Sequence, residues 1–227
     1  MDILNSLKGK IIVSAQAMPD EPLYKEDCML AMMQSAINGG AGGLRVAGER
    51  DTKNAKKYFN IPVIAITKPN KLPENWREVV YITPTVEDVK MLINAGADII
   101  AFDGTNRKRH SSLSEMIKEI HSANKLAMAD ISTLEEGLMC ENLGADIIST
   151  TLSGYTSESL TSSNDEPDFN LLDNLVKQTN TPIILEGRIW SPKEVKKAFQ
   201  LGAFSVVIGS AITRPQLITK RFVEESL

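Results

Sequence analysis

The chain has 227 residues, a formal net charge of −4, 42% hydrophobic residues and 24% charged residues. This length fits one barrel-sized domain spanning residues 1–227 better than two small ones. The acidic charge argues against nucleic-acid binding, which needs a basic surface, and no apolar run approaches membrane-spanning length. Cys28 and Cys140 form no disulfide framework and the chain shows no signal-peptide pattern, so we expect a cytoplasmic protein.

Short apolar runs typical of buried strands alternate with helix-length amphipathic segments along the chain. The predicted strands are 10–16, 43–47, 62–68, 98–103, 125–131, 146–152, 181–188 and 205–209. The predicted helices are 23–38, 52–59, 86–94, 112–122, 133–142, 169–179, 193–200 and 216–225. We also expect a loop at 69–76, a small extra strand at 79–82 and a Ser/Thr-rich active-site loop at 153–167.

Eight strand–helix units predict an α/β fold, namely a single-domain (β/α)8 barrel of the TIM type. A local repeat supports this architecture, because Asn-Ala-Gly-Ala-Asp-Ile-Ile at 94–100 recurs as Asn-Leu-Gly-Ala-Asp-Ile-Ile at 142–148. Each copy is a helix end, a glycine and the entry into a buried strand. The alternative is an open doubly wound sheet, which is less favoured because no Gly-x-Gly-x-x-Gly follows the first strand.

Polar residues stand where the predicted strands end, which is the end of a barrel that carries chemistry. They are Gln16, Arg45, Lys68, Asp103, Asp130, Thr150 with Thr151, Glu186 with Arg188, and Gly209 with Ser210. One such residue alone is equally well explained by the chain leaving the core. A whole set of cations and carboxylates favours an active site.

The last two units contain the residue types of a phosphate site, which barrels commonly build after strands seven and eight. The two loops offer Gly187-Arg188 and Gly209-Ser210. Arg214 follows, beside Pro215, a residue suited to the first turn of a helix. The alternative is a turn glycine with a solvated arginine, but glycines beside arginines in both loops favour phosphate.

A histidine-based metal site is not predicted, because His110 and His121 stand at no clean strand end. A lysine and carboxylates around a sugar phosphate instead suit removal of a proton beside a carbonyl. Lys68, desolvated among other cations, would serve as a neutral amine. A Schiff-base lysine, as in an aldolase, is the alternative role.

Four stretches resemble N-acetylmannosamine-6-phosphate 2-epimerases, and the resemblance covers almost the whole chain. They are 12–23 with Asp-Glu-Pro-Leu, 128–133, 149–156 with Thr-Thr-Leu-Ser-Gly-Tyr-Thr, and 211–215. The resemblance implies a barrel that interconverts N-acetylmannosamine 6-phosphate and N-acetylglucosamine 6-phosphate in sialic-acid breakdown. It also implies a homodimer, possessing neither metal nor organic cofactor, with Lys68 and Glu186 as the catalytic pair.

The resemblance further implies that Gln16, Arg45, Asp130 and Arg214 contact the substrate. Thr150 and Tyr155, from the 149–156 stretch, complete the substrate-binding prediction. The predicted phosphate site consists of Gly187, Arg188, Gly209, Ser210 and Arg214.

The chain departs from the family pattern after Lys68, where Pro69-Asn70-Lys71 replaces the usual Arg-x-Tyr. Ala15 stands where cysteine is usual, and strand two reads Gly-Gly-Leu-Arg-Val-Ala rather than the commoner Ile-Arg-Ala form. The catalytic assignment stands, since a residue before proline favours the extended geometry of a strand end. A sugar-phosphate-binding regulator is the non-enzymatic alternative, and the retention of both Lys68 and Glu186 argues against it.

Overall fold

Eight parallel strands close into a barrel in which each strand pairs with the next and the last pairs with the first. They are β1 (Ile11–Ala15), β2 (Gly43–Ala47), β3 (Val63–Ile66), β4 (Ile99–Asp103), β5 (Leu126–Asp130), β6 (Ile147–Ser149), β7 (Ile183–Glu186) and β8 (Ser205–Ile208). The computed structural model describes residues 2–159 and 166–226. The predicted (β/α)8 barrel is confirmed, and every strand lies within its predicted range.

Helices connect the strands and pack around the barrel. They are α1 (Ile3–Ser6), α2 (Glu26–Asn38), α3 (Gly48–Tyr58), α4 (Val86–Asn94), α5 (Leu113–Ser122), α6 (Leu134–Asn142), α7 (Phe169–Gln178), α8 (Pro192–Gln200), α9 (Ser210–Thr213) and α10 (Pro215–Glu225), with a 3₁₀ turn at Pro22–Tyr24. The third begins earlier than predicted, and the Thr52 hydroxyl donates to the Gly48 carbonyl (2.7 Å) inside its first turns. Within the two described ranges, no helix has the length and apolarity needed to cross a membrane.

The small strand predicted at 79–82 was wrong. The segment makes only isolated bonds with the strand ends: Asp103 N donates to Ile82 O and Thr83 N donates to Thr67 O, both at 3.1 Å. Thr83 then takes a φ of +44°, which breaks extended geometry. A closed barrel has no free edge for another strand, so the apolar Ile82 packs into the barrel core instead.

Alternation along the strands separates two apolar layers. Inward positions such as Ile12, Ile64, Met128 and Ile184 fill the barrel interior. Their sequence neighbours pack beneath the helices with residues such as Phe102. At the carboxyl end of the barrel the inward side chains are polar rather than apolar, and the candidate site lies there.

Capping boxes set the first residues of four described helices. The pairs are Thr85 with Asp88, Ser112 with Glu115, Thr133 with Glu136, and Ser191 with Glu194. Each cap supplies the partner that the first helical amides lack, worth about 1 kcal/mol. The first residues of these helices are therefore set by local contacts. The loops between the strand ends and the helix starts are then available to form the site.

Candidate active site

A cavity of about 730 Å³ lies at the carboxyl ends of the strands. Its wall includes Gln16 after β1, Lys68 after β3, Glu186 at the end of β7 and Gly209 after β8. This is the end at which barrels assemble their active sites.

Most of the predicted site residues line this one cavity. They are Gln16, Lys68, Tyr155, Glu186, Gly187, Arg188, Gly209, Ser210 and Arg214. The structure does not bring Arg45, Asp130 or Thr150 to the wall, since each is at most 1% exposed. Each of the three contacts a residue of the wall: Arg45 pairs with Glu186, Asp130 accepts from Thr151, and Thr150 bonds the backbone of Glu186.

Arg45 forms the centre of a buried ion cluster with Asp130 and Glu186. Its Nη1 and Nη2 donate to the two carboxylate oxygens of Asp130, at 3.1 and 2.5 Å. Its Nη1 also donates to Glu186 Oε2. The cluster therefore joins β2, β5 and β7 through the barrel interior. Its one guanidinium faces two carboxylates, so an ionised cluster carries an excess negative charge.

Thr150 and Thr151 point in opposite directions, as successive residues of a strand do. The Thr150 hydroxyl donates to the backbone carbonyl of Glu186 (3.0 Å) and accepts from its amide (3.1 Å). The Thr151 hydroxyl lies among the side chains of the ion cluster and lines the cavity. Counting inward positions from Ile147 would have selected Thr151 rather than Thr150 from the sequence.

Lys68 lies on the other side of the barrel from Glu186. Strands β3 and β7 are four places apart in the closed ring of eight, so their ends face each other. The Lys68 amine donates to Gln16 Oε1 (2.8 Å), and Gln16 Nε2 donates to the Ser14 hydroxyl (2.8 Å). The amine is thus held by a chain of neutral groups in and just after β1, and none of the ion pairs among the described residues includes it.

The electrostatics move the pKa values of Lys68 and Glu186 towards each other. Desolvation, followed by the positive charge of Arg45, lowers the pKa of Lys68 to about 8. Solvent at the open mouth moderates this desolvation, because the lysine residue is exposed. Burial raises the pKa of Glu186, Arg45 opposes that change and Asp130 adds to it. Burial disfavours the charged Arg45, but Asp130 and Glu186 hold its pKa above the ordinary value.

At the other end of the cavity, Arg214 contacts a carboxylate of the first loop. Its Nη2 forms an ion pair with Glu21 Oε1, and Glu21 is fixed in turn by the Met18 amide (2.8 Å) and by Gln216 (3.0 Å). Gly209 precedes α9, and its neighbour Ser210 is the first residue of that helix. Gly209, Ser210 and Arg214 therefore line the cavity from one short segment of the chain.

Arg188 supports the rim of the cavity. Its guanidinium donates to the carbonyls of Ser153 (2.5 Å) and Glu166 (2.7 Å) and lies 5.6 Å from the ring centroid of Tyr155. The ring of Trp76, which also lines the cavity, lies 6.4 Å from that of Tyr155, measured between centroids. The sequence analysis missed Trp76, because this residue follows no strand. Residues 160–165 of the predicted 153–167 loop lie outside the described residues.

No group of three or more His, Cys, Asp or Glu side chains in residues 2–159 and 166–226 is placed to hold a metal ion. His121 instead lies 2.8 Å from Asp146 Oδ2 on the surface. Metal independence stays a prediction.

Fold and site together define an enzyme of the TIM-barrel class, with a lysine and a glutamate facing each other in its cavity. A family model described as "Putative N-acetylmannosamine-6-phosphate epimerase" matches residues 29–226. A Clostridium perfringens protein described as a "Putative N-acetylmannosamine-6-phosphate 2-epimerase" is 46% identical over 224 residues, covering 98% of this chain and 99% of the relative. A relative with the same description from Caldanaerobacter subterraneus subsp. tengcongensis is 47% identical over 227 residues, covering 98% and 93%.

The solved N-acetylmannosamine-6-phosphate 2-epimerase from Clostridium perfringens superimposes with a TM-score of 0.93 at 46% identity, covering 99% of this chain and 96% of that one. The chain belongs to the N-acetylmannosamine-6-phosphate epimerase family. The family resemblance noted in the sequence is therefore confirmed.

Proposed function

We propose that this chain interconverts N-acetylmannosamine 6-phosphate and N-acetylglucosamine 6-phosphate by moving a proton at C2. Family membership supports the substrates, since relatives and the solved structure carry this activity in their names. One observation carries the mechanism. Lys68 and Glu186 line one cavity from the carboxyl ends of two strands that face each other across the barrel, and their pKa values are shifted towards each other.

In the proposed reaction the sugar opens to its aldehyde, which acidifies the proton on C2. One of Lys68 and Glu186 takes this proton, and the electron pair of the C2–H bond moves into an enolate across C1 and C2. The other group gives a proton to the opposite face of C2, the carbonyl re-forms and the centre is inverted. Groups on opposed strands suit opposite faces of a planar enolate.

The protonation states fit this exchange. A glutamate whose pKa is raised holds a proton more readily near neutral pH, and a lysine whose pKa is about 8 releases one more readily. A general acid or base works best when its pKa lies close to the working pH. Either group thus suits either role.

We assign the phosphate to the end of the cavity that holds Gly187, Arg188, Gly209, Ser210 and Arg214. Arg214 would exchange its contact with Glu21 for a contact with phosphate oxygens, which a guanidinium binds bidentately. Arg188 would contribute mainly charge and rim support, because its guanidinium already donates to two backbone carbonyls. Gln16 and Tyr155 would contact the sugar from the cavity wall.

The decisive test incubates purified protein with each of the two sugar phosphates in deuterated water. We expect either substrate to give a mixture of both, and product that carries deuterium at C2. Product that keeps its original C2 hydrogen in early turnover would contradict proton exchange with solvent. Trapping of substrate onto Lys68 by borohydride would instead support the Schiff-base alternative.

We further propose that residues 1–227 act as one catalytic domain, in sialic-acid breakdown, as a cytoplasmic homodimer. Free Cys28 and Cys140 support a reducing compartment. Phe222 and Val223 on α10 are 75% and 53% exposed, an apolar pair that suits a subunit contact. Sedimentation should give twice the chain mass, and Phe222→Glu should shift the protein to monomer. A wild-type monomer at micromolar concentration would contradict the dimer.

A further inference from the structure

Thr151 has a contact pattern that links two carboxylates through one hydroxyl group. Its Oγ1 lies 2.7 Å from Asp130 Oδ1 and 3.1 Å from Glu186 Oε2, in donor geometry to both. Arg45 Nη1 lies 3.2 Å away and donates to it, and the Ser149 hydroxyl lies 2.9 Å away. The hydroxyl has a single hydrogen, so it can satisfy only one carboxylate at a time.

The two carboxylates differ in their access to the cavity. Glu186 lines the cavity wall, whereas Asp130 is fully buried and holds Arg45 through both of its oxygens. A proton that arrives from substrate therefore reaches Glu186 and not Asp130. The direction of the Thr151 hydrogen must then follow the state of Glu186.

Both states can be satisfied by turning one O–H bond. With Glu186 ionised, the Thr151 hydroxyl donates to Glu186 Oε2. With Glu186 protonated, the new carboxyl O–H donates to Thr151 Oγ1, and the Thr151 hydrogen turns to Asp130 Oδ1. No heavy atom has to move, which keeps the Glu186 carboxyl in place through both states.

We propose that Thr151 is a positioning residue for Glu186, whose hydroxyl follows the proton on Glu186 and keeps that carboxyl aimed at the substrate. This inference rests on the proposed function, in which Glu186 takes and gives the proton at C2. Thr151 does not touch the reacting atoms in this scheme and acts through Glu186.

The proposal has a consequence for the pKa of Glu186. A hydrogen bond donated to the ionised form lowers the pKa of a carboxyl group, and Thr151 does this for Glu186. The charged groups that face Glu186 are Arg45 from β2, Lys68 from β3 and Asp130 from β5. The neighbouring β8 contributes the apolar Val207. The bond to the ionised carboxylate is charge-assisted and therefore stronger than the bond that the protonated carboxyl makes, so loss of the hydroxyl raises the Glu186 pKa while those charges stay unchanged.

The test measures kcat/KM against pH for Thr151→Val, which keeps the side-chain shape and removes the hydroxyl. We expect a bell-shaped wild-type profile whose lower limb follows Glu186 and whose upper limb, near pH 8, follows Lys68. In Thr151→Val we expect the lower limb to move up by about one pH unit and kcat to fall about 10-fold, with the upper limb in place. Thr151→Ser should restore the wild-type profile.

Thr105→Val is the matched control. The Thr105 hydroxyl is buried and donates to another strand-end carboxylate, Asp103 (2.6 Å), outside the cavity wall. This variant should lose stability without moving the pH profile. Thr151→Ala repeats the test with a smaller side chain if the valine variant does not fold. Failure of both hydroxyl-free variants to fold, while Thr105→Val folds, would overturn the proposal in favour of a structural role.

Two failures are distinguishable. An active wild-type protein with an unchanged lower limb in Thr151→Val would overturn the role of Thr151 and leave the proposed function intact. A wild-type protein without epimerase activity, or a Glu186→Gln variant with normal turnover, would overturn the proposed function or its use of Glu186.

Discussion

Asp103 and Asp130 invite comparison, because they end neighbouring strands and pair with each other in the sheet register. Both are fully buried and both form ion pairs with arginine. Asp130 binds Arg45 from β2, and this pair reaches Glu186 in the cavity wall. Asp103 binds Arg107, four residues further along its own loop.

The origin of each arginine explains the difference. Arg107 also donates to the backbone carbonyls of Trp76 (3.0 Å) and Arg77 (3.3 Å), which lie in an earlier loop. The ion pair of Asp103 and Arg107 therefore connects two loops. Burial raises the pKa of Asp103, while Arg107 and the Thr105 hydroxyl oppose that change. An arginine from across the barrel makes a strand-end aspartate part of the site, whereas an arginine from the local loop makes it a structural tie.

The largest loss of turnover should come from changing the proposed catalytic pair, Lys68 and Glu186. We expect Lys68→Ala and Glu186→Gln each to lower turnover by about two to four decades, the usual worth of a positioned acid or base. Lys71→Ala, which changes an exposed lysine nearby, should leave turnover unchanged. Steady-state assays in both directions measure this, and normal turnover in Glu186→Gln would leave Lys68 as the single acid and base.

Asp130→Asn and Asp103→Asn test the comparison directly. Each removes one partner of a buried ion pair and should cost about 3 kcal/mol of unfolding free energy. Only Asp130→Asn should also lower turnover, by about 10- to 100-fold, because Arg45 then loses the partner that fixes it beside Glu186. Urea unfolding and kinetics on the two purified variants provide the measurement. Equal losses of turnover at matched stability would remove the distinction between the clusters.

Arg214→Ala should show that the cavity has a phosphate end separate from its ion cluster. Each charge-assisted hydrogen bond is worth roughly 1.5–3 kcal/mol, so KM for the phosphorylated sugar should rise about 10- to 100-fold. The unphosphorylated sugar should be affected little. Glu21→Gln, which breaks the same ion pair from the other side, is the control. If Arg214 only supports the loop, both variants should harm both sugars equally.

The smallest expected effect is that of chelation. In residues 2–159 and 166–226 no group of three or more His, Cys, Asp or Glu side chains is placed to hold a metal ion, and the carboxylates of both ion clusters bind arginine. Activity should therefore survive exhaustive dialysis against a chelator, measured with both sugar phosphates. Loss of activity that a divalent ion restores would point to a metal-assisted reaction.

The sequence by itself determined the architecture and the end of the barrel that holds the site. Strand-length apolar runs and the repeat at 94–100 and 142–148, with a glycine after each helix end, are local signals. Each signal is contained in a short stretch of sequence, so it can be recognised without knowledge of the fold. The same reasoning placed Lys68 and Glu186 at strand ends, and the structure brings both into one cavity.

Only the tertiary structure decided which polar residues reach the cavity. Arg45 and Asp130 are 85 residues apart in sequence, and their pairing depends on a barrel interior that no local pattern describes. The same closure left residues 79–82 without a sheet edge and turned Thr151 inward and Thr150 towards the backbone of Glu186. The predicted strand ends identify the candidate site residues. The closed barrel sets the distances between them, on which charge interactions and hydrogen bonding depend.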